Sequence, residues 1–135
     1  MATTDHLEKL EDLLNFAIEC LENYSGWTVE KFPGSNADDL FNFIPELELP
    51  AAVVTYKASS YGDKPRRISN IEVIVASEFY SDSSNVSSRV LIEKVVELLD
   101  KQISGHALFK VKSDEAMNLG NGICSYSLKV EVEDH

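Results

Sequence analysis

Apolar positions recur along this chain with two different periods. Leu7, Leu10, Leu14, Ala17, Leu21 and Tyr24 fall at spacings of three and four, and Leu13, Phe16 and Cys20 widen the stripe. That spacing puts them on one side of a helix, with Glu8, Glu11, Asp12, Glu19 and Glu22 on the other. Asp5-His6-Leu7-Glu8 has the form of a capping box that opens the helix, and Gly26 is placed to close it. A second helix is predicted after the polar run Ser81–Asn85. Its buried face is traced by Ser88, Leu91, Ile92, Val95, Val96, Leu99 and Ile103, with Gly105 as the C-terminal cap.

Elsewhere the period drops to two. Cys124, Tyr126, Leu128, Val130 and Val132 alternate with Ser125, Ser127, Lys129 and Glu131, which predicts a strand with one dry and one wet face. Asn121-Gly122 before it suits a tight hairpin turn. Trp27–Phe32 reads as a short first strand. Ala51–Tyr56 is a nearly continuous apolar run, as in a strand covered on both faces. Ile68–Phe79 is a third strand, with Ile71, Val73 and Val75 on one face, and Ala107–Lys112 is a fourth. Ala51–Tyr56 and Ile68–Phe79 are expected to pair as a long hairpin. Residues 37–49 read equally as a short helical turn or an irregular arm.

The resulting expectation is a single α+β domain over residues 1–135. A mainly antiparallel sheet of about four to five strands carries two amphipathic helices on one face. Charge adds an asymmetry. The formal net charge is -11, and the first fifty residues hold eleven acids against Lys9 and Lys31 alone. Such a surface disfavours nucleic acid and anionic membranes. With no cationic, apolar leader and no spanning run, a cytoplasmic, reducing location is expected.

The search for reactive chemistry returns little. Cys20 and Cys124 have no metal-ligand spacing, and His6, His106 and His135 are scattered. No serine stands in a nucleophile elbow, and no phosphate-binding glycine loop is present. The expectation is a non-enzymatic chain with no catalytic residues, cofactor or metal. One segment stands out. Lys57, Lys64, Arg66 and Arg67 oppose only Asp63 around Gly62 and Pro65, with Tyr61 among them. This basic stretch reads as a solubilised hairpin tip, as a docking element for an acidic surface such as another copy of the chain, or as a nucleic-acid contact. The last lacks the interleaved aromatics that base stacking uses.

The arrangement resembles the small tail-terminator, or tail-completion, proteins of tailed bacteriophages and Mu-like prophages. The likeness is carried by Leu49-Pro50-Ala51-Ala52-Val53-Val54-Thr55-Tyr56, by Arg67–Ala76, by the helix around Leu91–Leu99, and by Tyr126–Val132. The resemblance implies a subunit that forms a homo-oligomeric, typically hexameric, ring at the head-proximal end of the tail. There it stops tube polymerisation and helps join the head. The implied partners are the tail tube protein and head-completion proteins, and the implied location is the bacterial host cytoplasm during assembly and then the virion tail. Lys57, Tyr61, Lys64, Arg66 and Arg67 are the interface candidates, and reversing Arg66 and Arg67 is expected to impair assembly with the fold intact. The alternatives are a small-molecule-binding or regulatory module with an apolar pocket between helices and sheet, and an enzyme whose residues are dispersed beyond recognition.

Overall fold

A computed structural model describes residues 9–32, 37–61, 66–78, 88–117 and 122–134. The chain is α+β. Its elements are α1 (Leu10–Leu21), β1 (Thr28–Lys31), α2 (Ala37–Phe43) with a 3-10 turn over Ile44–Glu46, β2 (Ala51–Tyr61), β3 (Arg67–Glu78), α3 (Ser88–Leu99), β4 (Ile103–Ser104), β5 (Ala107–Met117) and β6 (Ile123–Asp134). The strands form one sheet of six in the order β1-β2-β3-β6-β5-β4. Only β1 and β2 run parallel; every other pair is antiparallel. The sheet thus has one strand more than the upper expectation. The extra strand is β4, a two-residue edge piece too short to leave a period in the sequence.

The alternation read in β3 and β6 sets the layers. Ile71, Val73 and Val75 align with Val130, Leu128 and Tyr126, so the apolar sides of the two central strands face the same way. On that face lie α1 and α3, which supply Leu13, Leu14, Ala17 and Leu21, and Leu91, Val95 and Leu99. Phe109 of β5 is fully enclosed there, with its ring 5.3 Å from that of Phe16. Both long helices therefore pack on one face, as the binary pattern requires.

The first five residues of β2 are all buried, because this stretch of strand is covered on both sides. Ala52 and Val54 meet the helices, whereas Val53 joins Phe32, Leu40, Ile44, Ile74 and Ala76 on the opposite face. The ambiguous 37–49 segment is what covers this second face. It is a seven-residue helix followed by a 3-10 turn, and it is held by a Phe32–Phe43 ring contact at 5.3 Å. So short a helix is not self-supporting and depends on the apolar patch beneath it.

The capping box expected at Asp5–Glu8 lies outside the described residues, and two details of the helices differ from expectation. α1 stops at Leu21, where the Trp27 indole N–H donates to the Leu21 carbonyl at 2.8 Å and satisfies one of the terminal acceptors. Gly26 follows because a Cβ there would lie 2.3 Å from the Tyr24 ring, which stacks edge-on against Trp27.

The second difference is at the end of α3. The helix stops at Leu99, well before Gly105, and Lys101 takes the left-handed conformation with φ 67°. Its N–H donates to the Phe109 carbonyl at 2.7 Å, the Phe109 N–H donates to the Gln102 carbonyl at 2.8 Å, and the Val111 N–H donates to the Asp100 carboxylate at 2.9 Å. Docking onto β5 thus replaces the last helical turn that the period had predicted. Ile103 is consequently 63 % exposed on β4 and not part of a buried helical face. Val96, placed on the same face by its spacing, is 42 % exposed. Gly105 belongs to the β4–β5 turn, with φ 61°.

Candidate functional site

β2 and β3 do form the expected long hairpin, in register from Ala51–Ala76 to Tyr61–Arg67. One irregularity interrupts it. Lys57 is an extra residue between Tyr56 and Ala58, a bulge that shifts the facing of everything beyond it. Without the shift Tyr56 and Ser59 would point to opposite faces. With it, the Tyr56 and Ser59 hydroxyls lie 2.8 Å apart, and Ser59 reaches the Ser69 hydroxyl at 2.9 Å.

The structure separates the five cation-stretch candidates. Lys57 turns to the second face and forms an ion pair with Glu72 Oε1 at 3.2 Å. The other Glu72 oxygen accepts a hydrogen bond from the Ser127 hydroxyl, so this carboxylate joins β2, β3 and β6. Tyr61 is 62 % exposed, Arg66 is exposed, and Arg66 makes no ion pair among the described residues. Lys64 lies outside the described residues.

Arg67 is the correction. It is only 7 % exposed, and its guanidinium lies 3.3 Å from Asp134 Oδ2, a carboxylate with no exposed surface. Register forces the meeting, since Arg67 and Asp134 are directly opposed across β3 and β6. A buried pair of this kind binds strands together, and removing one partner strands the other's charge. At this exposure Arg67 offers little surface to a neighbour, and its reversal is expected to disturb the fold. The signal was present in the alternation: Arg67 has the parity of Ile71, Val73 and Val75, and Asp134 that of Leu128, Val130 and Val132.

The second face beyond the α2 cap is a field of compensated charge. Lys110 pairs with Glu133 at 3.1 Å, Lys57 with Glu72, and Lys129 stands opposite Glu72 in the β3–β6 register. The acidic excess of the first fifty residues includes exposed Asp12 and Glu19 on α1 and Glu22 just after it, while Glu11 pairs with Lys31.

Cys20 is buried in α1 and Cys124 partly buried in β6; both are free thiols. Burial pushes the Cys20 thiol up from its ordinary value, with a further contribution from the nearby Glu19 charge. His106 is exposed in the β4–β5 turn, and His6 and His135 lie outside the described residues. Among the described residues no group of three or more His, Cys, Asp or Glu side chains is placed to hold a metal ion, and no helix is long and apolar enough to cross a membrane. A shallow depression of about 170 Å³ opens between Ser25–Thr28 and Glu48–Pro50. It lies at one end of the sheet, not between helices and sheet. The interior of that layer is filled by Leu13, Leu91, Val95, Phe109 and Leu128. No family model matches the chain, and no curated protein matches it.

Proposed function

We propose that this chain is a structural assembly subunit of a phage or prophage tail, one that caps the tail tube at its head-proximal end, ends polymerisation and helps the head join. The observation that carries this reading is the order of elements around the β2–β3 hairpin. A helix and short strand precede an eleven-residue strand paired with a twelve-residue one, a helix follows, and a closing strand inserts beside β3. This is the arrangement on which the resemblance to tail-terminator proteins rests. The exposed Tyr61 and Arg66 at the end of that hairpin are the residues now best placed for contact with another subunit or the tube; Arg67 supports them from inside.

The test has two parts. Light scattering over a concentration series, with negative-stain imaging, should show a ring of about six copies, alone or on addition of tube protein. Added to polymerising tube protein, the chain should bind one tube end and halt growth. Unchanged tube growth with no end-bound density refutes the reading. A binding module for small apolar molecules is the second reading considered; among the described residues the helix–sheet layer is occupied by Leu13, Leu91, Val95, Phe109 and Leu128, so that layer lends it no support.

A further inference from the structure

We draw no further inference here: the strongest candidate, the outer edge of β5 from Lys112 to Met117 beyond the reach of β4, carries nothing because nothing in the structure shows what strand would cover it, and its bulge at Lys112 and flanking Asp114 and Glu115 are themselves devices that keep an edge from pairing.

Discussion

On the helix-bearing face, Ile71, Val73 and Val75 of β3 meet two long helices through one continuous apolar layer. One residue along the same strand, on the other face, Ile74 and Ala76 sit under the short α2 cap while Glu72 joins Lys57 and Ser127 in a polar ladder. The first face is a fold-defining core whose members touch every long element. The second is divided into a small capped core and a charged remainder. The difference separates residues that hold the molecule together from those left at the surface, and Tyr61 and Arg66 at the hairpin end are among the exposed ones.

The largest expected effect comes from the enclosed Arg67–Asp134 ion pair. Arg67→Glu would oppose two carboxylates in a buried site and cost more than the roughly 3–5 kcal/mol of simply breaking such a pair. Against a typical total of about 5–15 kcal/mol the variant should be largely unfolded by circular dichroism. Arg67→Met with Asp134→Leu should recover most of the loss, because two apolar side chains leave no stranded charge. If Arg67→Glu melts like the wild type, the pair does not bind β3 to β6 as described.

Core truncations sharpen the comparison of faces. Phe109→Ala should lose about 3–5 kcal/mol in urea unfolding and speed amide exchange throughout the sheet. Ile44→Ala should lose about 2–4 kcal/mol, with the fastest new exchange confined to α2 and the adjoining 3-10 turn. Equal, global exchange in both variants would mean that the cap and the main core form one cooperative unit.

The surface of the second face should matter least to stability. Lys57→Ala breaks a half-exposed ion pair and should change unfolding free energy by about 0–1 kcal/mol. Arg66→Glu should be similarly neutral to the fold yet weaken subunit or tube contact, which makes it the clean replacement for the double reversal. A loss of stability beyond about 2 kcal/mol in Lys57→Ala would show the ladder to be structural.

A smaller effect concerns pH. The folded Cys20 thiol is held above its unfolded pKa, so the unfolded chain releases this proton first as pH rises. The contribution of Cys20 is fully present below the unfolded value and declines above it. Cys20→Ala should therefore flatten the fall in stability between about pH 8 and pH 10. An unchanged slope in Cys20→Ala would exclude that contribution.

Much of this architecture was legible from periodicity. Leu14, Ala17 and Leu21 marked the buried side of α1, and the alternation from Cys124 to Val132 marked β6 and its inner face. What escaped depended on contacts distant in sequence. Ile103 stands four residues after Leu99, so the helical period ran on through it, although docking of Lys101 and Asp100 onto β5 ends the helix. Arg66 and Arg67 look alike in a basic run; parity puts Arg67 on the inner side of β3, but that Asp134 meets it there depends on the pairing with β6. Glu72, Lys57 and Ser127 could not be grouped before the bulge and the β3–β6 register were known. The assembly surface is the least legible, because nothing in a single chain dictates which exposed residues a partner will touch.

The central joint of the sheet also bears on how the molecule acquires its shape. β2 and β3 are neighbours in sequence and can zip locally, but β3 meets β6 only when residues 123–134 return from the far side of α3 and β5. The hairpin must keep one long edge open while that large loop closes, and the entropy of closure is spent before the central contacts reward it. Refolding should accordingly be slow for a domain of this size, on the order of milliseconds to seconds. Substitutions across the β3–β6 seam should then be felt in the rate of folding as well as in the final equilibrium.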